Sequence, residues 1–131
     1  MTRTRARTRR VCQVITTPEE RYKEYRRSSD FIKEYIFPGC CVPSLAALTA
    51  AMAAHSCLTV EHVENIGPHY ALTLLLWRDN FLKRAEEVKG MGFSAKFVRM
   101  WDYYFVYCAA GFETCTLGDL QVPGLRLCPI G

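Results

Sequence analysis

Two adjacent cysteines, Cys40 and Cys41, follow a Pro-Gly pair in the segment EYIFPGCCVPS, and thiols of this kind can bind a metal or act as nucleophiles. The chain has seven cysteines, an odd number, without Cys-x-x-Cys spacing and without a secretory signal. This pattern argues against a disulfide framework, a zinc ribbon and a thioredoxin-type motif. Adjacent side chains also point in different directions and rarely bind one ion together. We therefore predict reduced, non-catalytic thiols, several of them buried, in a reducing compartment, and no metal site.

Tyr104 and a polar group made of Glu64, Asn65 and His69 are the other candidates for chemistry. Tyr104 lies on the apolar face of a predicted helix, where its hydroxyl needs a hydrogen-bond partner. The polar group lies where a predicted strand passes into a helix, a common place for functional residues of α/β proteins. A core tyrosine bonded to backbone and an ordinary polar loop are the simpler interpretation, and the residues alone leave both open.

Several familiar active-site motifs are absent from the sequence. A nucleotide-type site needs a glycine-rich turn between a strand and a helix, and none of the eight glycines forms one. Gly-x-Ser-x-Gly, a Walker lysine and His-Glu-x-x-His are also absent. The residues therefore predict no complete active site and no cofactor-binding residues.

The elements that must position these residues follow from hydrophobic periodicity and from Pro, Gly and Ser signals. A partly helical segment is predicted to end at Phe37, and Ser44 is predicted to cap the helix that follows. The other predicted elements are strands at Val11–Thr16, Leu58–Val63 and within Thr116–Val122, and helices at Pro68–Lys89 and Ser94–Phe112. Pro123-Gly124 is predicted to end the last strand early.

This order predicts an α/β fold in which both long helices pack on the sheet. Three strands are few for so much apolar sequence, so the pattern is typical of the back half of a larger sheet. We divide the chain into a disordered Arg-rich arm (1–10), a partial domain (11–122) and an irregular tail (123–131).

The net charge of +4 is concentrated in the first ten residues, which contain five arginines and no acid. Such an arm is typical of a nucleic-acid tail, an organelle-targeting peptide or a disordered start, and we favour the last. The rest of the chain is nearly neutral, which argues against a nucleic-acid partner. No apolar run approaches the roughly 18 residues that span a bilayer, although a membrane surface stays open as a partner.

Four blocks of the sequence, in order, carry a family resemblance. They are RRSSDFIKEYIFPG, VENIGPHYALTLLLWRDNFL, GFSAKFVRMWDYYFVYCAAGF and TLGDLQV. From Val11 to Val122 the chain resembles the carboxyl-terminal part of cyclopropane-fatty-acyl-phospholipid synthases, of the mycolic acid cyclopropane synthase family, and most of all the plant-type branch. The resemblance implies a class I, Rossmann-like, seven-stranded fold that uses S-adenosylmethionine to add a methylene group across a cis double bond of a phospholipid acyl chain.

The resemblance also implies an active-site bicarbonate that acts as the base, held by Tyr104, Ile66 and Glu64. Bacterial members carry histidine at the position of Glu64, and a carboxylate repels an anion unless it is protonated or turned away. The Pro-Gly segment corresponds to a turn beside the acyl pocket, so the cysteine pair is expected to be incidental. Cys40 stands where a second glycine is common and is expected to strain the turn if that position needs a positive φ.

We predict that the chain is a fragment of such an enzyme. The fragment is expected to be inactive alone, because the family's glycine-rich cofactor loop is not in the sequence. Its expected partners are phospholipid acyl chains at a membrane surface on the cytoplasmic side and a missing amino-terminal half. The alternative is a small non-catalytic protein that binds a lipid or a partner through an apolar sheet face.

Overall fold

The computed structural model describes residues 10–127 and contains one sheet and five α-helices within that range. In chain order the elements are β1 (Arg10–Thr16), α1 (Glu19–Tyr25), a π-helix (Ile32–Ile36), α2 (Leu45–His55), β2 (Leu58–Thr59), β3 (Glu64–Asn65), α3 (Gly67–Lys83), α4 (Ala85–Gly90), α5 (Ala95–Glu113) and β4 (Gly118–Leu127). The predicted disordered arm lies outside the described residues except for Arg10, with which β1 begins.

β4 lies at the centre of the sheet and is antiparallel to all its neighbours. β1 pairs along one side of β4, and β2 and β3 pair in succession along the other side. The predicted strand Leu58–Val63 is therefore wrong in extent. Only two short pieces, β2 and β3, meet β4, and the residues between them are not in strand conformation.

The predicted end of the last strand at Pro123-Gly124 is also wrong, since β4 continues to Leu127. The pairing with β1 explains how a proline is tolerated. Arg10 lies opposite Leu125 and Cys12 lies opposite Val122, so β4 has one extra residue in this interval. Such a bulge interrupts the ladder where proline cannot donate a hydrogen bond. The first residues of the predicted irregular tail, 123–127, therefore belong to β4. Its last residues, 128–131, lie outside the described part of the chain.

The predicted helices are present, with one break. The helix predicted at Pro68–Lys89 is divided at Arg84, whose backbone (φ −107°, ψ 15°) leaves the helical region between α3 and α4. The predicted cap at Ser44 is confirmed, and Ser94 caps α5 in the same way. The Ser44 hydroxyl accepts a hydrogen bond from the Ala47 N–H at 3.2 Å, and the Ser94 hydroxyl accepts one from the Phe97 N–H at 3.1 Å.

The core lies mainly between α3 and α5, which pack against each other, while α3 also contacts β4. Its buried side chains are Ala71, Leu74, Phe105, Cys108, Ala109 and Phe112. Within residues 10–127, the six cysteines are free and Cys108 alone is buried, so the expectation of several buried thiols is wrong. None of the helices in this range has the length and apolar content that a bilayer-spanning segment requires.

Candidate functional site

A largely apolar cavity of about 490 Å³ lies between two groups of residues that we name by their elements. The helical wall, from α3 and α5, consists of Tyr70, Leu74, Tyr104, Cys108 and Phe112. The turn wall, from the end of α1 and the segment between α1 and α2, consists of Tyr25, Ile32, Phe37, Cys40 and Val42. The lining also includes Ile15 in β1, Thr17 and Leu117. Further lining residues are Arg21, Asp30, Tyr107, Ala110, Gly111, Thr114 and Thr116.

Tyr104 is half-buried in the helical wall, with its ring against Phe37 (centroids 5.8 Å apart) and Trp101 (5.2 Å). Its hydroxyl lies within hydrogen-bonding reach of the Cys108 thiol, one helical turn further along α5. The predicted need for a partner is thus met by a side chain and not by backbone. Burial, and then the neighbouring Cys108, raise the pKa of Tyr104 well above its usual value. The phenol therefore keeps its proton and faces the cavity as a donor.

The two thiols in the cavity are poorly suited to nucleophilic chemistry. Burial raises the pKa of Cys108 to about 11. Burial, and then the Asp30 carboxylate, also raise the pKa of Cys40. Because the thiolate is the reactive form, both groups are mostly inert near neutral pH.

The Pro-Gly turn has a different geometry from the one expected. Gly39 takes the positive φ (+80°), whereas Cys40 does not lie in the left-handed region, so the expected strain at Cys40 is absent. Cys41 is exposed and Cys40 lines the cavity, which confirms that adjacent thiols point apart. Cys40 is consequently part of the cavity lining, and the incidental role of the cysteine pair stays a prediction.

The turn wall is held by hydrogen bonds to Tyr25 and by an ammonium group. The Val42 N–H donates to the Tyr25 hydroxyl at 3.3 Å. The Lys33 ammonium lies 3.6 Å from the centroid of the Tyr25 ring and donates to the Ser28 carbonyl at 2.8 Å. These contacts join the end of α1 to the segment that carries Cys40.

The structure does not gather the predicted bicarbonate ligands in one lining. Glu64 is exposed in β3, opposite Gln121, and neither Glu64 nor Ile66 lines the cavity that contains Tyr104. Ile66 instead donates its N–H to the Asp119 carbonyl at 2.8 Å, at the start of α3. The role of Tyr104, Ile66 and Glu64 as a set stays a prediction.

The other polar candidates have structural roles or are exposed. The Asn65 side-chain oxygen accepts the N–H of Gly67 at 2.9 Å and that of Asp119 at 3.4 Å, so it holds the start of α3 against β4. His69 is exposed.

Asp119 was missed by the sequence reasoning. It is fully buried at the start of β4, where its Oδ2 accepts a hydrogen bond from the Gln13 amide at 2.7 Å. Its Oδ1 has no hydrogen-bond partner among the described residues. The available signal was an acidic residue inside an apolar strand pattern, since such a group is seldom buried without a specific reason.

The junction between β3 and α3 does not open space for the nucleoside of S-adenosylmethionine. Gly67 is the glycine at the junction of β3 and α3, but a Cβ there would lie 3.0 Å from Asn65 Oδ1 and 3.2 Å from the Asp119 nitrogen. Packing within the chain therefore requires this glycine, and it does not open space for a ligand. Residues 10–127 also lack a group of three or more His, Cys, Asp or Glu side chains that could hold a metal ion.

Comparison with known proteins identifies related sequences over most of the chain. The family model described as mycolic acid cyclopropane synthetase matches residues 3–122. The tuberculostearic acid methyltransferase of Mycobacterium tuberculosis is 38% identical over 109 residues, which cover 83% of this chain and 26% of that protein. The cyclopropane-fatty-acyl-phospholipid synthase of Escherichia coli K12 is 34% identical over 92 residues, covering 70% of this chain and 23% of the synthase.

Solved structures show the same fold. A mycolic acid cyclopropane synthase, CmaA1, crystallised with SAH and CTAB, matches with a TM-score of 0.77 at 23% identity, over 93% of this chain and 45% of that one. The cyclopropane synthase MmaA2 of Mycobacterium tuberculosis matches with a TM-score of 0.75 at 21% identity, over 92% of this chain and 44% of that one. The chain thus spans about a quarter of these curated relatives and just under half of the solved chains. The predicted α/β fold, as part of a class I methyltransferase domain, is confirmed.

Proposed function

Because this chain belongs to the mycolic acid cyclopropane synthetase family, we propose that it forms the acyl-chain-binding part of an enzyme that adds a methylene group to phospholipid acyl chains. The reaction uses S-adenosylmethionine and acts on a cis double bond. The observation that supports this proposal is the cavity between the two walls, which is mostly apolar and contains the protonated hydroxyl of Tyr104.

Such a cavity stabilises an acyl chain because the apolar surface of the chain leaves water. This burial lowers the free energy by roughly 25 cal/mol per Å². Most of the lining surface is apolar, so a double bond would meet the Tyr104 phenol against aromatic neighbours. A phenol that keeps its proton is a suitable donor to an anionic base. Tyr104, Ile66 and Glu64 are the proposed ligands of a bicarbonate in this role, with the Glu64 carboxyl turned away or protonated.

The methyl donor is proposed to bind to residues of a complete domain that are not among these 131. The support is that atoms of the chain itself fill the space beside Gly67, at the junction of β3 and α3. This chain alone should then neither bind S-adenosylmethionine nor modify lipid. An amino-terminal half of the domain is the proposed partner, and the cytoplasmic side of a membrane surface is the proposed site of action.

Quenching of Trp101 fluorescence by a brominated fatty acid tests the cavity as an acyl site. The ring of Trp101 lies 5.2 Å from that of Tyr104, and a Trp77→Phe background leaves it as the single reporter. Saturable quenching is expected. Ala110→Phe, which places a ring in the lining, should weaken it, whereas Ala54→Phe on the exposed side of α2 should not. Equal quenching in both variants would remove the cavity from the proposal.

Isothermal calorimetry with S-adenosylmethionine tests the second part of the proposal. No saturable heat is expected from the 131-residue chain. Micromolar binding would require a cofactor site within this chain and would overturn its assignment as the acyl-binding part alone.

A non-catalytic lipid-binding protein is the second candidate, because the cavity by itself could hold an acyl chain and the β3–α3 junction opens no space for a nucleoside. A chimera distinguishes the two candidates. The matching segment of the Escherichia coli synthase would be replaced by residues 11–122 and assayed for cyclopropane fatty acids by gas chromatography. Product formation supports the catalytic candidate, and a folded chimera that binds lipid without product supports the second.

A further inference from the structure

The buried carboxyl of Asp119 lies on the side of the sheet that faces the cavity. Asp119 is paired with Ile15 across β4 and β1, and Ile15 lines the cavity. Residues directly opposite in an antiparallel pair point to the same face of the sheet. The Asp119 side chain therefore lies on the cavity side of the sheet, although it is fully buried. A carboxyl in such a place is costly unless donors satisfy both of its oxygens.

Three of the four polar groups of Asp119 already have partners. Oδ2 accepts from the Gln13 amide at 2.7 Å, the carbonyl accepts from Ile66 at 2.8 Å, and the N–H donates to Asn65 at 3.4 Å. These bonds connect β1, β3 and the start of α3 to one residue of β4. Oδ1 is the exception, with no partner within residues 10–127.

Tyr70 carries a hydroxyl on which the Asp119 charge acts. It lies in the first turn of α3, and its N–H donates to the carbonyl of Ile66, the residue that binds Asp119. Its ring packs edge-on against Phe112 at 5.1 Å and lines the cavity. Within the described residues, its hydroxyl makes no hydrogen bond. Burial and then the Asp119 carboxylate raise the pKa of Tyr70, which indicates that this charge acts on this phenol.

We propose that Asp119 is a positioning residue whose Oδ1 is hydrogen-bonded to the Tyr70 hydroxyl through one water, which fixes the Tyr70 ring in the helical wall. The effect of this bond on the position of an acyl chain rests on the proposed function. Tyr70 and Tyr104 lie in the same wall, so the orientation of Tyr70 sets how far an acyl chain passes Tyr104. Asp119 thereby determines which carbon of the chain reaches the Tyr104 hydroxyl.

The titration of Tyr70 tests the contact without any lipid. Tyrosine labelled with ¹³C at Cζ reports phenol ionisation by NMR, and Tyr70→Phe identifies the signal. Besides Asp119, the charged form of Cys108 acts on Tyr70, so the titrations are compared in a Cys108→Ala background. Asp119→Asn should lower the Tyr70 midpoint. Gln13→Ala, which removes the other partner of the carboxyl, should leave it raised. An unchanged midpoint in folded Asp119→Asn would overturn the proposal.

A second comparison covers the case in which Asp119→Asn does not fold. Tyr70→Phe and Tyr22→Phe each remove one hydroxyl, but only the first removes the hydroxyl proposed to be bonded to Oδ1 through a water. The urea midpoint should fall in Tyr70→Phe and stay unchanged in Tyr22→Phe. Equal midpoints would show that Oδ1 does not depend on Tyr70.

The functional consequence has a separate readout. Fatty acids brominated at different carbons give a profile of Trp101 quenching against bromine position, in the Trp77→Phe background. Asp119→Asn should move the maximum of this profile along the chain, whereas Gln121→Ala, at a nearby position of β4, should not. A profile that is unchanged although the Tyr70 midpoint has fallen would overturn the lipid consequence alone. Absence of quenching in the parent protein would contradict the proposed function and leave the NMR result standing.

Discussion

The helical wall and the turn wall enclose the same cavity but are stabilised in different ways. The helical wall includes the buried residues Leu74, Cys108 and Phe112, which belong to the core between α3 and α5. Neither α1 nor the π-helix contains a buried residue, and the turn wall depends on the hydrogen bonds of Tyr25 and Lys33. Burial supplies the larger free energy, because exposed hydrogen bonds mostly replace bonds to water.

This difference indicates which wall opens first. Segments with few buried apolar contacts and many exposed hydrogen bonds open locally at low free energy, whereas core helices open only near global unfolding. We expect the turn wall to admit the ligand and the helical wall to keep the reacting groups in place. The following predictions test this division of roles, from the largest expected effect to the smallest.

Replacing one tyrosine in each wall should separate chemistry from access. In the chimera with residues 11–122, Tyr104→Phe should lower turnover by about 10²–10⁴, because positioning a general base is worth about that much. Tyr25→Phe removes a hydroxyl from the same lining but from the turn wall, and turnover should fall far less. Initial rates of cyclopropane formation measure both. Similar turnover in the two variants would indicate that Tyr104 has only a structural role.

Truncating one phenylalanine in each wall should separate their contributions to stability. Phe112 is 2% exposed and Phe37 is 46% exposed. Phe112→Ala should lower the free energy of unfolding by about 3–5 kcal/mol, and Phe37→Ala by about 1 kcal/mol. Urea denaturation followed by circular dichroism measures both losses. If the losses were equal, the turn wall would be packed as firmly as the helices.

The buried Cys108 thiol should make the helical wall sensitive to alkali. Its pKa is raised to about 11 from an ordinary value of 9.0. Below pH 9 the thiol is protonated in both states, and the folded protein keeps its full stability. Between pH 9 and 11 the unfolded chain loses this proton first, so about 2–3 kcal/mol should be lost. Cys108→Ala should remove this loss from urea titrations, whereas Cys40→Ala in the turn wall should remove less. The same slope in all three proteins would contradict the prediction.

Hydrogen exchange should detect the opening of the turn wall directly. The Val42 amide donates to the Tyr25 hydroxyl, and a hydrogen bond of this kind contributes about 1 kcal/mol. Tyr25→Phe should therefore speed exchange at Val42 about fivefold while amides of α5 stay unchanged. If the α5 amides accelerated equally, the two walls would open together.

Part of the candidate site could be predicted from local sequence, because the contacts involved are local. Tyr104 and Cys108 are four residues apart on one helix, so the partner of the hydroxyl lies within the predicted element. Asp119 could not be found in this way, because its partner Gln13 is 106 residues away. The lining role of Cys40 also depends on how the turn folds back against α5.

The sequence by itself determined the helices, their caps and the first strand, because hydrophobic periodicity and Ser capping act over a few residues. The four quoted blocks also carried the family resemblance, and the matching family model confirms it. Tertiary structure alone decided that β4 passes through Pro123, that β2 and β3 are separate, and that Asp119 is buried under the cavity. Strand length and burial depend on which partner lies alongside, and that partner is chosen by pairing between residues distant in the chain.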